Sequence, residues 1–447
     1  MVGAGYAGLT AALRLHEAGR EVVVVEARDR VGGRTCSELA PDGTLVDHGG
    51  QWVGPTQLRL HALAAQMGVG TFLVYDQGKN IEYRDGRRHL YSGPVSDADA
   101  GAAADIVEMI LDVDLLALEV PLDAPWTAAR AAEWDGQTFE TWLERNAPSP
   151  RVAEALRLFV EAVLCCEPRD ISALHALFYV HSAGGVQKLI GVRGNAQDSR
   201  FQGGAQETAK RIAVQLGEAV ILGAAVRRIR HDDAVTVEYE GGPGGSGGTV
   251  SARQAVVAVP PALAGRISYA PALPGYRDQL TQRVPMASTI KVHCIYDEPF
   301  WRADGLSGQV TSTEGIAQFT FDNSPEDGSK GVIVAFIEGD HAREWGRRTP
   351  AEREAAVKEC LAGYFGLRAA TPQHYLERVW QDEEFTRGCY GGLMPPGAWL
   401  SYGAALREPC GAIHWAGTET ATQWSGYIDG AVSSGERVAA EVLAALT

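Results

Sequence analysis

Residues 3–8 read Gly3-Ala4-Gly5-Tyr6-Ala7-Gly8, followed by Leu9, Ala12, Leu13 and His16 at helical spacing, then by Gly19 and the four valines 22–25 that close on Glu26. The order is turn, helix, strand. Four valines in a row suit a strand covered on both faces, as parallel sheets require. An acidic residue about 20 positions beyond a GxGxxG turn is where a dinucleotide fold holds its ribose. The glycines let the backbone approach a pyrophosphate at a helix N-terminus, whose free N–H groups and dipole favour anions. Glu26 would accept from both ribose hydroxyls and repel a 2′-phosphate, which favours FAD or NAD over NADP. The bland alternative is a glycine turn without ligand, and the spacing of Glu26 weighs against it. Only two residues precede Gly3, although such a turn ordinarily follows a strand of about five residues, so the sequence is expected to begin inside that strand.

The chain has 447 residues, enough for two or three domains. With 45% apolar and 21% charged residues it reads as an ordinary globular protein despite 52 glycines. Its 40 Lys and Arg face 56 Asp and Glu, and the net charge of −16 argues against a nucleic-acid partner, which needs a basic face. Seven cysteines without framework or metal spacing suggest reduced thiols, no metal site and a cytoplasmic location. No apolar run approaches the ~18 residues of a membrane span. Neither a membrane anchor nor a leader peptide is expected. Whether the chain forms a homodimer stays open.

Helical periodicity over 99–132 and 137–164 predicts a helical subdomain. Strand-like sequence returns at 219–222, 224–229, 235–239 and 255–259, with the glycine-rich loop 241–248 as a hairpin tip between two of them. Alternation at 288–296, 309–321 and 331–337 predicts an antiparallel sheet, followed by a helix over 350–365. A strand at 412–416 and a helix over 431–446 close the chain. The fold class is therefore α/β: a discontinuous Rossmann-like domain from 1–71, 202–278 and 382–447, and an α+β domain with an antiparallel sheet and helical subdomain from 72–201 and 279–381.

Four segments carry a likeness that extends along the whole sequence. They are 26–35, which adds the second glycine pair Gly32-Gly33 and Arg34; 47–57, with Gly49-Gly50-Gln51-Trp52-Val53-Gly54-Pro55-Thr56-Gln57; Ile290-Lys291 ahead of Glu298-Pro299-Phe300-Trp301; and a C-terminal block running from Gly388-Cys389-Tyr390 to Trp415-Ala416-Gly417-Thr418-Glu419-Thr420 and Trp424-Ser425-Gly426-Tyr427. In these the chain resembles the flavin monoamine oxidase family, as a bacterial soluble member would.

The resemblance implies FAD-dependent oxidative deamination: an amine and O₂ give an aldehyde or ketone, ammonia or a smaller amine, and H₂O₂. It implies that FAD lies along Gly3, Gly5, Gly8, Glu26 and Arg28, then Gly33, Arg34, Gly50, Gln51 and Trp52, with Val226, Trp380, Gly417, Thr418, Glu419, Tyr427 and Ile428 around it. Cys389 matches the cysteine that the animal members join to the flavin 8α-methyl group, so covalent attachment is expected; a buried inert thiol is the alternative. Tyr390 and Tyr427 match the family's aromatic cage, whose ring faces guide the amine. Lys291 matches a lysine that holds a water at flavin N5 and assists reaction with O₂; the plainer reading is an edge lysine reaching solvent. The catalytic set is thus Lys291, Tyr390 and Tyr427.

Alignment with the family places Leu189, Ile190 and Gln197 beside the substrate cavity, Ile190 as a gate and Phe319 at the entrance. That lining is mostly apolar and suits an aryl-alkyl or alkyl monoamine, with Glu314 near enough in sequence to keep a diamine in view. Two alternatives remain: the same fold oxidising a polyamine, an amino acid or an alkaloid intermediate, and an FAD-binding protein without turnover.

Overall fold

Val2 bridges Val25 on one side and Val257 on the other, both in parallel. It is the middle of a parallel sheet completed by Val220–Ile221 beside Val24–Val25 and by Ile413–Trp415 beside Ala255–Val257. The computed structural model describes residues 1–232 and 234–447. Val2, Val24, Val25, Val256 and Val257 are all buried, because helices cover one face of the sheet and the strands that carry Ile229, Val235 and Val237 pack against the other. The helix Tyr6–Glu17 lies against the C-terminal helix Ile428–Ala445. Their backbones meet at Gly435, where a Cβ would stand 2.5 Å from the Ala7 carbonyl oxygen.

The strands Ala224–His231, Val235–Gly241 and Gly248–Ala252 form an antiparallel layer, with Ser268–Ala270 added in parallel at its edge. The glycine-rich tip therefore joins Val235–Gly241 to Gly248–Ala252, a strand the sequence pattern does not announce. Ala255–Val257 pairs instead with Ile413–Trp415, since being apolar on both faces suits the buried sheet.

In the other half, Thr289–Tyr296 pairs antiparallel with Gly331–Glu338 and with His374–Val379. The stretch expected to alternate over 309–321 is two strands, Leu306–Ser312 and Phe319–Asp322, folded on each other. Two strands with weak alternation, Lys79–Arg84 and Arg87–Tyr91, extend the sheet to seven through a turn at Asp85-Gly86, both at positive φ. Lys79–Arg84 joins Leu306–Ser312 in parallel, so the sheet is mixed and not wholly antiparallel.

The helical part is more broken than its periodicity suggests. Ala100–Ala117 stops before Pro121 and Pro125, and the segment Phe139–Asn146 is parted from Pro150–Leu164 by Pro148 and Pro150. Side-chain caps fix the starts: Asp99 accepts from the Ala102 N–H, Thr138 from Thr141, Ser149 from Val152 and Ser172 from His175. These helices enclose a core containing Trp134, Phe139, Phe178 and Trp399. Its inner surface faces the mixed sheet. A three-stranded sheet of Trp52–Val53, Ser199–Phe201 and Thr71–Leu73 lies across the points 71/72 and 201/202 where the two domains are expected to meet.

Candidate active site

One cavity of about 750 Å³ runs from the glycine turn at Gly3 and Gly5, past Glu26, Arg34 and Gln51, to Lys291, Cys389, Tyr390 and Tyr427, and on to Ile190 and Phe319. At the first end no side chain caps the helix Tyr6–Glu17, so among the described residues its first-turn N–H groups have no side-chain acceptor. A Cβ on Gly8 would lie 2.1 Å from the Gly3 carbonyl oxygen, so only glycine permits the helix to start this close to the sheet. The buried Glu26 carboxylate accepts from the Ala4 N–H at 2.6 Å and the Arg28 N–H at 3.0 Å, which pins it beside the turn. Val226, on Ala224–His231, lines the same end.

At the centre, strand alternation aims Lys291 inward, where it is 3% exposed. Its Nζ donates to the Gly49 carbonyl at 2.8 Å and to Gln51 Oε1 at 2.5 Å, and Gln51 Nε2 donates to Asn323 Oδ1 at 2.8 Å. Burial pushes the ammonium down to about 7, opposed by Asp47. The rings of Trp52 and Phe336 have their centroids 5.6 and 5.5 Å from Nζ. Lys291 is thus a wall residue of the cavity and does not reach solvent.

Cys389 is 3% exposed, and burial pushes its thiol up to about 12 against the opposing influence of Arg34 and Arg28. Behind it packs Trp380, whose Nε1 donates to the His48 carbonyl at 2.8 Å. Arg34 donates to both Glu419 oxygens, at 2.6 and 3.1 Å, and to the Tyr390 carbonyl at 2.8 Å. Burial disfavours the Glu419 charge, but Arg34 outweighs it and holds the carboxyl below its usual range. Trp380, Glu419 and Gly8 do not line the cavity. They support Cys389, Arg34 and the glycine turn respectively. Gly33, Gly50, Trp52, Gly417, Thr418 and Ile428 do line it, and Thr418 Oγ1 donates to the Tyr427 carbonyl at 2.8 Å.

Tyr390 and Tyr427 both face the cavity, each steadied by a neighbouring ring. Phe336 stands edge-on to Tyr390 at 6.5 Å, and Trp424 edge-on to Tyr427 at 4.9 Å. Leu189, Ile190 and Gln197 line the far end with Phe319, and Gln197 Nε2 donates to the Leu189 carbonyl at 2.8 Å. Glu314 is not among the lining residues; its carboxylate accepts from the Gly86 N–H at the surface. Among the wall residues that the sequence reading did not name are Tyr179 and Glu338. Glu338 was legible in principle: Val334, Phe336 and Glu338 alternate along one face of Gly331–Glu338, and the last two of them line the cavity.

A family model described as flavin containing amine oxidoreductase matches residues 6–443. This chain is a flavin-containing amine oxidase. The oxidase is 39% identical over 99% of its length to a probable flavin-containing monoamine oxidase A of Dictyostelium discoideum, covering 96% of that protein. It is 37% identical over its whole length to amine oxidase B of Sus scrofa, covering 86% of it. Among solved structures it is similar to wild-type putrescine oxidase bound to putrescine, with a TM-score of 0.94, 35% identity and coverage of 99% and 98% of the two chains. It is equally similar to cyclohexylamine oxidase from Brevibacterium oxydans IH-35A, with a TM-score of 0.94, 34% identity and coverage of 100% and 98%. The chain catalyses FAD-dependent oxidative deamination of amines.

The residues present fit FAD. The uncapped helix start can take a pyrophosphate, the pinned Glu26 carboxylate a ribose, and the elongated cavity carries on from there to the tyrosines without a break. Among the described residues no helix is long and apolar enough to cross a membrane, and no cluster of His, Cys, Asp and Glu could hold a metal ion.

Proposed function

We propose that this oxidase acts on aryl-alkyl or alkyl monoamines, with Tyr390 and Tyr427 as the cage that orients the amine and Lys291 as the residue that serves O₂ reduction. The observation that carries this is the cavity's far end, where Leu189, Ile190 and Phe319 offer apolar surface beyond the two phenol rings. When bound, FAD would supply the redox chemistry, a two-electron oxidation of the amine coupled to reduction of O₂.

The protein's part is to bind, orient and exclude water. The glycine turn and Glu26 hold the dinucleotide, and Arg34 braces the Tyr390 backbone. The tyrosine faces attract an amine nitrogen while burial disfavours its ammonium form. An amine must shed that proton before its lone pair can push electrons into the breaking C–H bond. Lys291, held between Gly49 and Gln51, sits where it can keep a water in place and exchange a proton near neutrality. Covalent attachment through Cys389 is part of the proposal, supported by its place on the cavity wall.

The domain division at 1–71, 202–278 and 382–447 against 72–201 and 279–381 is likewise proposed, supported by one apolar core around Leu9, Leu60 and Ile212 and another around Val292, Ile333 and Leu361; the helical core crosses that line by taking in Leu393, Trp399 and Trp424. A soluble, cytoplasmic enzyme is supported by seven unpaired cysteines. A diamine is the second reading, favoured by the Glu338 carboxyl in the wall.

A peroxide-coupled screen of primary and secondary monoamines, diamines and amino acids tests the substrate class. Turnover confined to apolar monoamines supports the proposal. Preference for a diamine or an amino acid overturns it.

A further inference from the structure

Glu338 ends the strand Gly331–Glu338 and is 1% exposed, yet it lines the cavity. Its Oε1 accepts from the Tyr390 hydroxyl at 2.8 Å and from the Cys165 thiol at 3.3 Å. Its Oε2 is buried without a hydrogen-bond partner, and among the described residues no lysine or arginine pairs with either oxygen. An acid buried against the wall of an amine site with one oxygen unused calls for a reason, because a packed apolar side chain would cost less.

We propose that Glu338 is a positioning residue for the amine, acting through Tyr390: it fixes the phenol's direction and, when ionised, makes the ring a stronger host for a cationic nitrogen. The inference rests on the cage reading of Tyr390 and extends it.

A hydroxyl that donates to a carboxylate becomes more electron-rich in its ring, and the negative charge behind the ring adds to the field at its face. A neutral carboxyl does neither. Burial pushes Glu338 up to about 8, with Tyr390 and Cys165 opposing and Glu161 adding to the shift. The titratable groups facing it are Tyr390, Cys165, Glu161 with Glu167 and Asp340 behind it, and Lys291 on the paired strand. Ionisation of Glu338 therefore falls near neutral pH, below that of an ordinary alkylammonium.

The test uses FAD-loaded enzyme and 2-phenylpropan-2-amine, an aryl-alkyl amine with no hydrogen on the carbon next to nitrogen, so binding is read without turnover from the flavin absorbance. In the wild type, affinity should rise about 10-fold as pH passes through the Glu338 transition. Glu338→Gln keeps an acceptor for Tyr390 but cannot ionise, so the rise should vanish while folding and flavin content stay intact. In Glu161→Gln the transition should move to lower pH and persist. Tyr390→Phe should make Glu338→Gln silent. A pH rise that survives in Glu338→Gln, or that vanishes in Glu161→Gln alone, overturns the proposal. Loss of all amine oxidation by the wild type would overturn the proposed function and leave this binding result to stand or fall by itself.

Discussion

Lys291 Nζ and Gln51 Oε1 meet at 2.5 Å across 240 positions of sequence, joining the mixed sheet to the segment that follows Gly49-Gly50. The contact ties the two halves of the molecule together at the cavity wall. It also leaves an ammonium buried, with Asp47 and then Cys389 acting to keep it charged.

Replacing Lys291 with Met should slow reaction of the reduced flavin with O₂ by about 100-fold, the scale of a positioned proton-transfer group. The anaerobic reduction by amine should change far less. Stopped-flow measurement of the two half-reactions checks this, and equal slowing of both would remove Lys291 from O₂ chemistry.

The same lysine makes a prediction about stability and pH. Its value falls from 10.5 to about 7 on folding, so between those limits the unfolded chain binds a proton that the folded chain does not. Stability gained from this group therefore rises with pH across that window. The melting temperature of Lys291→Met, compared with wild type at matched flavin content, should show its advantage shrinking from pH 7 to pH 10.

Cys389→Ser should abolish any covalent flavin. After acid precipitation the wild-type pellet should stay yellow and the variant's pellet should be colourless, with the flavin in the supernatant. A colourless wild-type pellet would mean a buried, inert thiol.

Arg34→Met strands the Glu419 carboxylate without its partner and should cost about 3 kcal/mol in urea unfolding. Arg34→Met with Glu419→Met removes both charges and should recover part of that loss. Full additivity of the two single changes would show that the pair is not coupled.

Gly8→Ala places a Cβ 2.1 Å from the Gly3 carbonyl oxygen and should force the helix away from the sheet. We expect about 2–3 kcal/mol of destabilisation and weaker flavin retention, measured by gel filtration of the purified protein. Retention equal to wild type would show that the helix start can move without disturbing the turn.

The sequence by itself determined the parallel sheet, the glycine turn and its carboxylate, because those depend on local periodicity and on a spacing of about 20 residues. It also marked Lys291, Cys389, Tyr390 and Tyr427 through short blocks that resemble those of the flavin monoamine oxidase family. Where the helices break was legible in Pro121, Pro125 and Pro148, although periodicity alone runs through them. Only the tertiary structure decided which strands pair: Ala255–Val257 could have closed a hairpin with 235–241, but it met Ile413–Trp415 from the far end of the chain. It also decided that Trp380 and Glu419 stand behind the wall, that Glu314 faces away, and that Glu338 comes up behind Tyr390. A side chain's partner across 52 or 240 positions is chosen by how sheets and helices pack. Burial then sets its protonation, and neither is encoded in its immediate neighbours.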